Sequence, residues 1–395
     1  MSLPAEGDPE GFDGLTVALG ELVQSGTAPG MVFGFLRGTE RRIGALGSHG
    51  PGVEMPMARD TIFRIASMTK PVAGLLATTL ALEGLFALND PIDGLIPEMA
   101  DRRVLRSPDA ALDDTIPAAR AITVEDLLTC RMGMGHVMQP GRFPLMEKLS
   151  DLSLTPGPYP PLEPTESWIA KLGTLPLLEQ PGTVWRYDTG LSVLGIFLER
   201  ATGQSLETLF RQRVFEPLGM TDTGFHVPAG KLHRLPQETR EDGSVDDPAG
   251  PGSRFAKPPI FHSTAAGLVS TADDLLNFAG MMLNKGEWRG RRIVPARAVD
   301  LMSRDRITED QRRKSPFVPG FWDRNGWGYG VGISYPKDET DPAGIGWAGG
   351  TGTNLYWDPA TGSAGVILTQ RLFGSPTPPV HFGAFWRHAR RMALT

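Results

Sequence analysis

Cysteine is almost absent: Cys130 is the only one in 395 residues. One thiol cannot form an intrachain disulfide framework or a Cys-rich zinc site, so Cys130 reads as a small buried hydrophobe. Basic charge is not in excess either. With 39 Lys and Arg against 45 Asp and Glu, the formal net charge is −6, which gives no electrostatic support for nucleic-acid binding. Long apolar runs are missing. The longest, around Val72–Leu82, is too short and too interrupted by threonine to span a bilayer. The start, Met1-Ser2-Leu3-Pro4-Ala5-Glu6, lacks a charged segment followed by an apolar one. The expectation is a cytoplasmic protein with neither membrane nor nucleic acid as partner. Two hydrolase signatures are absent as well. No Gly-x-Ser-x-Gly elbow occurs, no His-Glu-x-x-His occurs, and the 7 histidines show no ligand spacing.

What is present is an ordinary folding composition, 40% hydrophobic and 21% charged, long enough for two or three domains or for one domain with an insertion. Gly14–Ser25 has helical periodicity, and Met31–Leu36 with Arg42–Leu46 reads as two strands joined by the turn Gly38-Thr39-Glu40. Ser67–Glu83 is apolar on nearly every face and predicts a buried helix, with Pro71 tolerated in its first turn. Helical patterns at Val124–Leu128, Trp168–Leu172, Leu191–Ala201 and Leu206–Val214 are separated by long loops. Asp273–Leu283 resumes a helix, and Tyr329–Tyr335, Ile345–Ala348, Gly352–Trp357 and Ala364–Thr369 read as strands before a helix at Val380–Met392. The pattern predicts an α/β domain built from both termini, 1–84 and 265–395, and a mostly helical domain, 85–264, inserted between them. A cleft between the two suits a small-molecule site. The Met- and Pro-rich stretches Met132–Met146 and Leu154–Pro164 suit its rim.

The strongest chemical feature is Ser67-Met68-Thr69-Lys70 at the start of the buried helix. Residues three apart share a helix face, so hydroxyl and amine can touch. Burial and the partial positive charge of a helix N-terminus both push a lysine pKa down. The expectation is a neutral Lys70 amine that takes the Ser67 proton, because a serine hydroxyl needs a base to become a nucleophile.

In Phe63-Arg64-Ile65-Ala66-Ser67-Met68-Thr69-Lys70-Pro71 the chain resembles the serine β-lactamase and penicillin-binding superfamily, in particular class C β-lactamases and family VIII carboxylesterases. The likeness continues through Thr123-Val124-Glu125-Asp126-Leu127-Leu128, Trp185-Arg186-Tyr187-Asp188-Thr189-Gly190, Gly267-Leu268-Val269-Ser270-Thr271-Ala272 and Gly326-Trp327-Gly328-Tyr329-Gly330. It implies an antiparallel sheet flanked by helices, with the site in the cleft. It implies that Tyr187 is the second catalytic group, shuttling the proton to the leaving group. Two departures stand out. Tyr187-Asp188-Thr189 replaces the lactamase Tyr-x-Asn, and Gly346-Trp347-Ala348-Gly349-Gly350 stands where lactamases carry Lys-Thr-Gly. An indole cannot attract a substrate carboxylate as that lysine does, but it offers an apolar wall to an uncharged ester. By the same resemblance, the backbone N–H groups of Ser67 and Gly350 form an oxyanion hole, and Trp347 and Gly349 bind substrate. His136, in the loop Met132-Gly133-Met134-Gly135-His136, falls near the cleft.

The function expected is a serine carboxylesterase that acts on small esters, with short acyl chains implied by the resemblance, through an acyl-enzyme on Ser67 and without metal or cofactor. A β-lactamase, a D-amino-acid peptidase or an acyltransferase on the same scaffold is the nearest rival; the missing Lys-Thr-Gly counts against the first two. A non-catalytic scaffold of the same fold is the rival from another class, and an intact Ser67, Lys70 and Tyr187 count against it. The partner expected is a small ester, and the oligomeric state is left open.

Overall fold

Gly30–Arg37 (β1) is apolar at nearly every position, and such a strand needs both of its faces covered. In the computed structural model, which describes residues 11–375 and 377–394, both are. The N-terminal segment on which the expectation of no leader rests lies outside the described residues. Glu40–Gly47 (β2) pairs with β1 across a tight turn. The remaining strands of the sheet come from the far end of the chain: Asn325–Trp327 (β3), Gly332–Ser334 (β4), Gly344–Gly349 (β5), Thr353–Asp358 (β6) and Ser363–Thr369 (β7). They form one antiparallel seven-stranded sheet in the order β3-β4-β5-β6-β7-β1-β2. Of the stretch Tyr329–Tyr335, expected as one strand, Gly332–Ser334 is strand β4, and Tyr329–Val331 belongs to the turn that joins it to β3. Gly330 adopts φ 69° there and reverses the chain.

Alternate residues of β1 serve opposite faces. Met31, Phe33 and Phe35 pack against helices Phe12–Gln24 (α1) and Val380–Leu394, joined by Leu15, Leu19, Phe385 and Trp386. Val32 and Leu36 face the main core, which contains Thr69–Leu82 (α2) and Ala272–Leu283. In α2, 12 of the 14 residues are buried, as a helix apolar all round must be. Its first residue is Thr69. Ala66–Met68 forms a separate 3-10 turn, so the helix expected from Ser67 begins two residues later. Between β2 and β3 the chain is mainly helical. Thr189–Thr202 (α3) and the shorter Val124–Leu128, Thr165–Gly173 and Leu206–Phe210 agree with the expected pattern. Pro144–Asp151 is a further helix within a stretch read as rim loop. Among the described residues no helix is long and apolar enough to cross a membrane.

Candidate active site

Ser67 sits in the 3-10 turn that leads into α2, and the turn is held from three sides. Phe63–Arg64 pairs with Val269–Ser270. Thr69 Oγ1 donates to the Ala66 carbonyl at 2.7 Å and accepts from the Leu268 amide at 3.1 Å. Thr351 Oγ1 donates to the Arg64 carbonyl at 2.6 Å. So braced, Ala66 takes φ 41°, a conformation an L-residue avoids unless its surroundings impose it. The outcome is that Lys70 Nζ lies 2.8 Å from Ser67 Oγ, as the spacing predicted.

Lys70 is fully buried, and its ammonium finds three acceptors: Ser67 Oγ, the Ala265 carbonyl at 2.8 Å, and the Asp188 carboxylate in an ion pair. Its charge state departs from expectation. Burial works to lower the Lys70 pKa, but the negative charge of Asp188, and then Tyr187, outweigh burial and leave it above the ordinary lysine value. The neutral amine expected from sequence thus faces a buried counter-ion that favours the ammonium. The expectation counted burial and the helix terminus but not a buried counter-ion 118 positions away. An acid directly after the motif tyrosine was the available signal.

Tyr187 reaches the cluster from the segment preceding α3. The Arg186 amide donates to Cys130 O at 2.7 Å, and the His136 amide to Tyr187 O at 3.0 Å. These bonds fix the segment against the 130–136 loop. Gly135 is required there, because a Cβ on it would lie 2.5 Å from both the Arg186 and the Tyr187 carbonyls. The Tyr187 ring packs with Trp185, Trp327 and Trp347, and Lys70 Nζ is 4.5 Å from its centroid. Trp347 Nε1 donates to the phenol oxygen at 2.6 Å. Burial raises the phenol's pKa; Lys70 opposes this, Asp188 adds to it, and Ser67 and Trp347 as hydrogen-bond partners oppose it.

Ser67, Tyr187, Asp188, Trp347, Gly350 and His136 line one cavity of about 1360 Å³, whose remaining wall combines apolar groups such as Phe317 and Phe321 with charged ones such as Arg240, Arg324 and Asp341. Among the described residues, the amides of Ser67 and Gly350 donate to no other group, which leaves both N–H groups available to a ligand oxygen. Trp347 does more than offer the expected apolar wall, because its N–H is spent on Tyr187. Gly349 is not on the wall. A Cβ there would fall 2.3 Å from the Ile65 carbonyl and 2.3 Å from Thr353 Oγ1, so this glycine lets β5 lie against the serine turn. His136 stacks on Tyr187 at 6.1 Å between centroids, and burial lowers its pKa. The opposite wall carries Tyr159, whose hydroxyl bonds the carboxylates of Glu238 and Asp246. Sequence reasoning placed that segment at the rim without seeing its anchor.

A serine hydroxyl, a lysine and a phenol gathered at one cavity are groups that can carry acyl transfer. The family model described as Beta-lactamase matches residues 17–384. The chain belongs to the Beta-lactamase family. Within it, the chain is 36% identical over 373 residues to protein Rv1367c of Mycobacterium tuberculosis, covering 90% of this chain and 88% of that protein. It is 28% identical over 348 residues to esterase EstB of Burkholderia gladioli, covering 82% and 81%. The structure of EstCE1, a hydrolase with promiscuous acyltransferase activity, matches with a TM-score of 0.75 at 22% identity, covering 95% of this chain and 97% of that one. That last likeness speaks to the fold. Family and relatives together support a serine hydrolase or acyltransferase of the serine β-lactamase and penicillin-binding superfamily.

Proposed function

We propose that the protein is a serine carboxylesterase of the family VIII kind, acting on uncharged esters with short acyl groups. The observation that carries this reading is the chain of contacts Lys70–Ser67 at 2.8 Å and Trp347–Tyr187 at 2.6 Å, at the wall of a largely apolar cavity. An indole N–H directed at the phenol replaces the strand lysine that would favour a substrate carboxylate.

In this mechanism the ester carbonyl oxygen accepts from the Ser67 and Gly350 amides. Ser67 Oγ bonds to the carbonyl carbon and its proton passes to the Tyr187 oxygen, which must be a phenolate at that moment. Lys70 and the Trp347 N–H favour that phenolate. When the tetrahedral species collapses, the alcohol leaves with the proton from Tyr187. Water then attacks the acyl-enzyme along the same route, and the acid and free Ser67 are regenerated. Preorganised amides facing the developing alkoxide contribute roughly 3–4 kcal/mol each in enzymes of this type.

A second reading is transfer of the acyl group to a bound alcohol instead of water. The cavity volume of about 1360 Å³ favours it, since it leaves room for an acceptor beside the acyl group. EstB, named an esterase, and EstCE1, named a hydrolase with acyltransferase activity, bracket the two outcomes. The test is turnover of p-nitrophenyl butyrate beside a chromogenic cephalosporin, with and without an added alcohol. The ester is expected to be hydrolysed much faster, and Ser67→Ala to abolish it. Faster turnover of the cephalosporin, or full ester turnover by Ser67→Ala, contradicts the proposal.

A further inference from the structure

Asp188 has no part in the scheme above, yet its placement is the most constrained in the site. It is a non-glycine residue at φ 93°, a region that costs an L-residue on the order of 1–3 kcal/mol. It is 4% exposed, and its carboxylate is buried against a lysine that is itself fully buried. Its Oδ1 accepts no hydrogen bond among the described residues, so the ion pair with Lys70 is what compensates its charge. Conversely, an ammonium shut away from water is tolerated only with a counter-ion and all three hydrogens placed. Ser67 Oγ and the Ala265 carbonyl take two of them. The Asp188 carboxylate, in its ion pair, and the Tyr187 oxygen lie on the remaining side.

We propose that Asp188 is a positioning residue for Lys70: its carboxylate keeps the lysine an ammonium throughout the working pH range and aims it at Ser67, so that Lys70 serves as a fixed positive charge and never as the acceptor of the serine proton. The proposal rests on the ester-hydrolase reading and deepens it. Because Lys70 already donates to Ser67 Oγ, the serine's own hydrogen is left to turn toward Tyr187. As the Ser67 Oγ–carbonyl carbon bond forms, that proton goes to the Tyr187 oxygen; as the ester C–O bond breaks, it goes on to the alkoxide. Lys70 keeps its three hydrogens throughout. The other titratable groups that face the pair are Tyr187 on the same segment and, from the 130–136 loop, Cys130 and His136. Burial pushes the Cys130 thiol up to about 12 and holds His136 neutral, so neither supplies a competing charge near neutrality.

The proposal is tested by 13Cε-lysine NMR, with the Lys70 signal assigned by its loss in Lys70→Arg, together with the pH profile of kcat/KM for Asp188→Asn. In the wild type the Lys70 signal is expected to stay at its ammonium position to about pH 9 or beyond. Asp188 raises the pKa of both Lys70 and Tyr187. Its neutralisation should therefore move the Lys70 titration and both limbs of the profile to lower pH by about one unit or more. Asp188→Glu should restore part of the shift. A neutral Lys70 at about pH 7 in the wild type overturns the proposal. So does a folded Asp188→Asn whose Lys70 titration and profile stay in place. If Asp188→Asn does not fold, the wild-type titration decides alone. Should the wild type show a charged Lys70 but no ester turnover, the ester-hydrolase reading fails while the Lys70–Asp188 pairing stands.

Discussion

Trp347 is the residue that most clearly separates this site from one built for a charged substrate. Its ring faces the cavity and its N–H holds the Tyr187 oxygen at 2.6 Å. Trp347→Phe keeps an aromatic wall and removes that bond. Because the bond helps lower the Tyr187 pKa, its loss should move the acidic limb of kcat/KM to higher pH and reduce activity near neutrality by about tenfold, the weight of one good hydrogen bond. An unchanged profile in the variant would reduce Trp347 to a packing role. Ser67 and Lys70 were legible in the sequence because a three-residue spacing at the mouth of an apolar helix leaves little room for another arrangement. Tyr187, Trp347 and Gly350 were legible only through the family resemblance. The indole N–H to the phenol was not, since sequence carries no distances. Asp188 was not because its role depends on a left-handed backbone that turns its carboxylate inward, and local propensity argues against that conformation.

At the scale of elements, the site is a seam between the serine turn and strand β5. Gly349 is where the two touch. Gly349→Ala would place a methyl 2.3 Å from the Ile65 carbonyl, and neither backbone can yield without moving Ser67 or the Gly350 amide. The expected outcome is a stability loss of about 1–3 kcal/mol in thermal or urea unfolding, with a loss of turnover larger than that destabilisation explains. Wild-type stability and activity in the variant would contradict the account of the seam. The strands around it were readable to within a residue or two, because β5, β6 and β7 alternate or run apolar between glycines. The Pro144–Asp151 helix was hidden by prolines and methionines on either side, which argue locally for loop. The true start of α2 was hidden by the strained Ala66.

Over the whole molecule, stability and activity should respond to pH in different ways. In the proposed mechanism activity depends on a Tyr187 phenolate, and burial raises that phenol's pKa, so kcat/KM should climb as pH rises toward the alkaline side. Glu238 is fully buried, and burial pushes its carboxyl up to about 7 from 4.5, against the pull of Arg64 and Tyr159. A folded-state pKa above the unfolded one means a contribution that is complete below about 4.5 and lost as pH rises through about 7. Glu238→Gln should therefore remove a decline on the order of 1–3 kcal/mol across that window, read from urea midpoints at successive pH values. An identical slope in the variant would contradict it. His381 works in the opposite sense. Buried and depressed to about 4, it costs stability as pH falls from 6.5 toward that value. All of these expectations presuppose that the cavity is an acyl-transfer site centred on one serine. The most direct measurement is intact-mass analysis and peptide mapping after a fluorophosphonate is added to active protein across a range of pH. The account predicts a single adduct, on Ser67, that forms faster as pH rises and is absent in Ser67→Ala. An adduct on another residue, or active protein that takes none, would contradict it.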